Sequence, residues 1–357
     1  MMTASIHDLL TSVEIDKPSR EHPERHSLIR IRRGVYAPEG LFSFAKEAWE
    51  VRDLASILRA FAVQASCRDS TSLVFTSEIA LKLQGSFTWM NTPDIVFRRA
   101  DSRRSHHPKT VAPLNIRGAS VSAVQEIELQ SIPITNEVLT AQSVGVLPAW
   151  AAAIDCARAE HPLIGITAVS SALHAHTRFD RRESARGRAE EAELKRSMLD
   201  CLDSMAGYRG VRLVREVVLA GDAGIENPGE AFLLWLLHCL LTSSPEDRAH
   251  LVAQFHIPVG PNNYYPDIAL PHRKVLFEFD GKGKIGGNEI EFLTRQNDLL
   301  AAGWRPIRVN IAELKSPNVL SDRLTREMRK LGIPASPPSG RLWKPPTADI
   351  MDARRRH

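Results

Sequence analysis

Three acids, Asp267, Glu278 and Asp280, stand among strand-forming apolar residues in the stretch "YPDIALPHRKVLFEFDG". A carboxylate in such surroundings loses hydration, so something must compensate it. Over residues 275–280 the period is two. Val275, Phe277 and Phe279 fall on one face, and Leu276, Glu278 and Asp280 on the other. Asp267 lies eleven residues before Glu278, and the intervening segment contains Pro271. That length suits a hairpin bringing Asp267 beside Glu278. Carboxylates forced together repel and raise one another's pKa. A hard divalent cation relieves this, because Mg²⁺ prefers oxygen ligands. An ion so held polarises a phosphate and supplies hydroxide for in-line attack. Any one of these acids alone would more often be a strand-edge residue facing water.

The elements that must position these acids are legible on either side. In "IENPGEAFLLWLLHCLL", Asn227 suits a helix N-cap, Pro228 its first turn, and the body is apolar. Glu226 and Glu230 are four apart, hence on one helical face. Glu230, inside the first turns, is the better fourth carboxylate. Strands are expected at 252–259, 263–270 and 273–280, then a helix over 289–302 stopping at Gly303, then a last strand in "WRPIRVN". The order is α-β-β-β-α-β. The glycines of "GKGKIGG" imply a loop beside the acids. Arg295, in the helix after that loop, either pairs with Glu291 at i,i+4 or reaches a bound phosphate.

Elsewhere the pattern is plainer. A short helix is expected at 6–13. In "SLIRIRRGVYAPEG", Ile29 and Ile31 alternate with Arg30 and Arg32 in a strand that turns at Gly34. A helix over 42–65 precedes "TSEIALKLQG", a helix with Thr76 or Ser77 at its N-cap and Gly85 at its end. Residues 93–140 read as β-rich and 146–174 as helical with a break at Pro162. Charges crowd over 178–196 as on an exposed helix, and a further helix is expected over 210–220. The Pro-rich end, "PASPPSGRLWKPPTADIMDARRRH", reads as loose.

With 357 residues, the chain is long enough for two or three domains. Hydrophobic content of 43% and charged content of 25% are ordinary for a globular protein. No run reaches the ~18 apolar residues of a membrane span, and the first residues do not read as a signal peptide. Cys67, Cys156, Cys201 and Cys239 form no CxxC and read as free thiols of a reducing compartment. The expectation is a cytoplasmic protein without a membrane. The net charge of +4 is uneven, with Arg and Lys concentrated in "RRADSRRSHHPK" (98–109) and in the tail. Such patches suit an anionic partner such as nucleic acid, or are solvated loops. His106, His107, His174 and His176 lack companion ligands at regular spacing and read as loop histidines.

Taken together, "PDIALPHRKVLFEFDG", "RQNDLLAAGWRPIRV", "NPGEAFLLWLL" and Gln254 in "AQFHI" resemble the PD-(D/E)XK nuclease superfamily over residues 225–315. The likeness is closest to the branch around very-short-patch-repair endonucleases, in a family filed as a domain of unknown function. The resemblance implies a restriction-endonuclease-like domain over 225–335, with a central mixed sheet flanked by helices. It implies Mg²⁺ (or Mn²⁺) held by Asp267 and Glu278, with the carbonyl of Phe279 joining them. Asp280 would take a second metal or a water, and Glu230 would orient the cluster. The superfamily pattern has lysine two residues after the second acid, where this chain has Asp280. Lys282 and Lys284 stand close enough in sequence to supply the positive charge, and Arg295 to reach the phosphate.

"LIRIRRGVYA" and "TSEIALKLQG" resemble the N-terminal half of type IV abortive-infection antitoxins, over residues 25–175. That likeness implies a winged-helix-like DNA- or partner-binding region at 1–90 and a mixed α/β region at 91–177. A helical connector at 178–224 and a flexible basic tail at 336–357 complete the expected organisation. Arg30, Arg32 and Arg33 would contact phosphates, adding affinity without sequence information. The expectation is therefore an α/β (α+β) protein that hydrolyses phosphodiester bonds in DNA, in phage defence or a toxin–antitoxin-like system. DNA is the expected partner, with a toxin or other protein as a further one. The alternative is a non-catalytic DNA-binding regulator, or a partner-binding antitoxin, that keeps a nuclease fold. Asp280 in place of lysine is its best support.

Overall fold

The alternation at the acids becomes the strand Val275–Asp280, in which the apolar side chains are buried on both faces. The computed structural model of the chain describes residues 10–11, 28–66, 73–99, 107–129, 134–135, 137–281 and 289–355. The chain divides into two units between Cys156 and Ala157. The expected connector at 178–224 falls within the second unit.

In the second unit, Val275–Asp280 belongs to a four-stranded mixed sheet. The strand order is Val252–Ala253, Ile268–Leu270, Val275–Asp280, Arg305–Asn310, with the last pair parallel and the others antiparallel. The expected long strands at 252–259 and 263–270 are each broken. Gln254 takes a left-handed φ of 51° and ends the first after two residues. A separate hairpin, Ile257–Val259 with Asn262–Tyr264, then intervenes before Pro266 and Asp267 lead into the sheet.

Each sheet face has its helix. Asn227 Oδ1 accepts from Glu230 N at 3.0 Å and starts the buried helix Pro228–Leu240. This helix meets the phenylalanine face of the strand. A Cβ on Gly229 would lie 2.2 Å from a ring carbon of Phe279, so only glycine permits the approach. On the opposite face, Leu276 and Ala269 pack with Leu299 and Trp304. The helix Glu289–Ala301 therefore covers the face that carries Glu278 and Asp280. Gly303, at φ 84°, ends it and admits the strand Arg305–Asn310.

Residues 342–344, within the expected flexible tail, are tied into the second unit. Trp235 Nε1 donates to Leu342 O at 3.0 Å, and Trp343 stacks on Trp235 with ring centroids 5.3 Å apart. His161 Nε2 contacts Lys344 O at 2.8 Å, and a helix, Ala348–Arg355, follows. The prolines stop regular structure but not packing, because the segment carries the buried Leu342 and the half-buried Trp343 as anchors.

The first unit has a six-stranded mixed sheet. Its order is Leu139–Ala141, Val144–Val146, Leu73–Phe75, Ile95–Arg99, Val124–Glu128, Lys109–Val111. The helix expected over 42–65 is instead a 3-10 turn, Glu39–Phe44, and a helix, Ala48–Ala65. Thr76 does precede the helix Ser77–Leu83, but its hydroxyl donates to Asp155 Oδ2 at 2.7 Å rather than capping. The arginine-bearing strand Leu28–Arg32 pairs with Val35–Pro38. Leu10–Thr11 adds a third strand where a helix over 6–13 was expected; its pairing to residues 35 and 36 makes it extended. No helix among the described residues is long and apolar enough to cross a membrane.

Candidate active site

Ile268 pairs with Phe277 in the antiparallel ladder, and Asp267 immediately precedes that strand, beside the strand that carries Glu278. Both carboxylates are nearly removed from solvent, with residue exposures of 6% for Asp267 and 3% for Glu278. Asp267 Oδ2 accepts from Phe279 N at 2.6 Å, which pins the carboxylate against the acid strand. Glu278 Oε1 accepts from Arg295 at 2.5 Å. Arg295 therefore does not pair with Glu291 at i,i+4; its helix lies over the acid face, which turns the guanidinium toward Glu278. The guanidinium also lies 6.0 Å from the centre of the Tyr264 ring. The Tyr264 hydroxyl donates to Asp298 at 2.5 Å, joining the hairpin to the same helix. That bond pushes the phenol above its usual pKa and holds Asp298 below the usual carboxylate range.

Asp280 lies on the same face and is held by both its oxygens. Arg308 donates to Oδ1 and Oδ2 at 2.8 Å each. Arg308 sits opposite Glu278 in the parallel register and reaches diagonally to Asp280, with its guanidinium 4.4 Å from the centre of the Phe292 ring. Sequence reasoning did not single out Arg308. The signal was there, since a parallel partner strand places it level with the acids.

Gln254 borders the pair from the edge strand. Its backbone N donates to Pro266 O at 3.1 Å and to Asp267 O at 3.3 Å. Its side chain is buried, and Oε1 has no hydrogen-bond partner. A buried, unsatisfied carbonyl costs about 1–3 kcal/mol.

Glu230 is also buried, but on the helix that packs the phenylalanine face. Its carboxylate accepts from Glu226 N at 2.8 Å and from Asn227 Nδ2 at 2.5 Å, closing the start of its own helix. Lys282 and Lys284 lie outside the described residues. Among the expected phosphate contacts, Arg30 and Arg33 are exposed. Arg32 instead grips Glu126 through two nitrogens, with the NH2 bond at 2.7 Å. His174, read as a loop residue, sits in the helix Pro162–Thr177 and bonds Ala223 O at 2.9 Å.

Among the described residues no group of three or more His, Cys, Asp or Glu side chains is arranged to hold a metal ion. Asp267 and Glu278, buried on neighbouring segments, both offer hard oxygen atoms. The chain matches no family model, no curated protein and no solved structure.

Proposed function

We propose that the second unit is a Mg²⁺- or Mn²⁺-dependent endonuclease-like domain that hydrolyses phosphodiester bonds in DNA. The observation that carries this reading is the pair of buried carboxylates, Asp267 just before the strand Ile268–Leu270 and Glu278 on the antiparallel strand beside it, with Asp267 Oδ2 bonded to Phe279 N. The order helix, three sheet strands, helix, parallel strand supports a restriction-endonuclease-like core, with the hairpin at 257–264 as an insertion.

The donor set fits a hard divalent cation in type: two carboxylates, with the unsatisfied Gln254 carbonyl bordering Asp267. Asp267 and Glu278 would hold the ion. When bound, it supplies Lewis-acid polarisation of the phosphate and a more acidic water. The protein's own groups do the rest. Phe279 N keeps Asp267 in one rotamer. Arg295, drawn from Glu278 by a competing phosphate, offers a guanidinium to the scissile group. Asp280 stays clamped by Arg308 and shapes the negative edge.

A second reading has its own support. Glu278 and Asp280 each already have an arginine counter-charge, which satisfies both acids without a cation. A non-catalytic DNA-binding regulator that keeps this scaffold would look the same. The first unit, with Arg30 and Arg33 exposed on and beside a strand, is proposed to add non-specific affinity for DNA or a protein partner, as a winged-helix-like region would. Phage defence or a toxin–antitoxin-like system is the proposed setting.

A calorimetric Mn²⁺ titration separates the two readings. Endonuclease-like chemistry requires a site lost in Asp267→Ala; a heat trace identical for parent and variant would favour the regulator.

A further inference from the structure

The second unit contains a cavity of about 650 Å³ that the acid site does not use. It lies where the helices Ser184–Ser204, Val211–Ala220 and Pro228–Leu240 meet the short helix Pro245–Ala249. Its apolar lining comes from Leu219, Leu234, Leu251 and Val252, and its polar lining is a set of charges at fixed positions.

The carboxylates in this wall are each paired with a cation. Asp222 Oδ1 takes Arg188 at 2.6 Å and Gly224 N at 2.7 Å, and Oδ2 takes Ala253 N at 3.1 Å. Glu191 takes Arg188 at 2.6 Å and Lys195 at 2.8 Å. Glu216 accepts from Arg341 and has Arg248 at 3.6 Å. Arg188 also donates to Ala253 O at 2.5 Å, so the wall is tied to the edge strand of the sheet and is rigid before any ligand arrives.

Two donors are not spent. Lys195 carries three N–H groups and uses one, on Glu191. Arg248 uses Nε on His238 Nδ1 at 3.3 Å and forms an ion pair with Glu216 at 3.6 Å, too long for a hydrogen bond, which leaves its terminal N–H groups for a ligand. His238 is fixed as the neutral ring: burial, with the Arg248 charge beside it, pushes its pKa down to about 3. A neutral ring that accepts from Arg248 orients the guanidinium without cancelling its charge.

We propose that this cavity binds a small organic anion, a carboxylate or phosphate monoester with an apolar body. Lys195 and Arg248 take the charged head, and the leucine-lined wall takes the body. The volume is that of an ordinary small-molecule site. The proposal does not depend on the nuclease reading.

Calorimetric titration of the full chain with octanoate, adenosine 5′-monophosphate and neutral 1-octanol tests it. One of the two anions should bind with one-to-one stoichiometry, and at least about tenfold more tightly than octanol, as expected for charge-assisted hydrogen bonds. Whichever anion binds identifies the source as an aliphatic acid or a nucleotide. Arg248→Gln and Lys195→Gln should each weaken that anion about tenfold and leave octanol unchanged. Lys195→Gln serves if Arg248→Gln disturbs His238. Absence of binding by both anions, parity with octanol, or undiminished binding by folded variants would overturn the proposal.

Discussion

Arg295 reaches from the helix Glu289–Ala301 to Glu278 and donates to its carboxylate at 2.5 Å, closing the acid face of the sheet with one ion pair. Glu278 is too deeply buried to be hydrated in exchange. Arg295→Ala should therefore destabilise the metal-free protein by about 1–3 kcal/mol, the cost of a buried charged acceptor losing its donor. If Asp267 and Glu278 accept a cation, added Mg²⁺ should raise the melting temperature of this variant more than that of the parent. Thermal scans with Mg²⁺ and with chelator check both statements. Equal gains would detach the ion pair from metal binding.

Gly229 and Phe279 give a packing test independent of any chemistry. Gly229→Ala sets a methyl inside the Phe279 ring position and should cost roughly 1–3 kcal/mol. Phe279→Leu makes room, so the double variant should lose less than the sum of the singles. Urea denaturation of the four proteins measures the coupling. Strict additivity would mean that helix and strand do not touch there.

Two buried histidines set a pH window. Burial lowers His161 to about 4 and His238 to about 3, against an ordinary value of about 6.5. Each is neutral in the fold and takes up a proton when unfolded. Their contribution is complete above pH 6.5 and is lost as pH falls toward those lower values. Between pH 7 and pH 5 each should remove about 2 kcal/mol of stability. His238→Gln should flatten that decline; a variant declining as steeply as the parent would show that His238 is not the titrating group.

Much of the second unit was legible because its signals are local. Asn227 and Pro228 announce a helix start, and the alternation from Val275 to Asp280 assigns a face to each acid. The segment around Pro271 does return the chain antiparallel, pairing Ile268 with Phe277. Long-range partners were not legible. Arg295 could be placed on its helix but not against Glu278, because that depends on which sheet face the helix covers. Arg308 became visible only through the parallel register. The tail misled because proline content reports on regular structure, whereas Trp343 stacking on Trp235 is a contact between distant segments. Gln254 shows the same limit, since its left-handed backbone breaks a stretch whose apolar pattern continues.

The arginines of the first unit now divide by role. Arg32 neutralises the buried Glu126, so Arg32→Ala should destabilise the first unit by roughly 1–3 kcal/mol. Arg30 and Arg33 are exposed and available to phosphate. Arg30→Ala with Arg33→Ala should weaken binding to all DNA sequences alike and reduce the slope of log K against log salt by up to about two contacts' worth. Fluorescence anisotropy at several salt concentrations reads the slope. If it does not change, this strand faces a protein partner instead.

The central claim is that Asp267 and Glu278 together support metal-dependent phosphodiester hydrolysis. Its most direct measurement is plasmid cleavage by the full chain in Mg²⁺, in Mn²⁺ and in chelator, alongside Asp267→Ala and Glu278→Gln. Glutamine keeps the shape of Glu278 and its bond to Arg295 while removing the charge that would hold the ion. Nicked or linear product from the parent with either metal, none with chelator, and none from either variant despite retained DNA binding is the expected result. Uncut plasmid from the parent in both metals, or cleavage by the variants at the parent's rate, would contradict the claim.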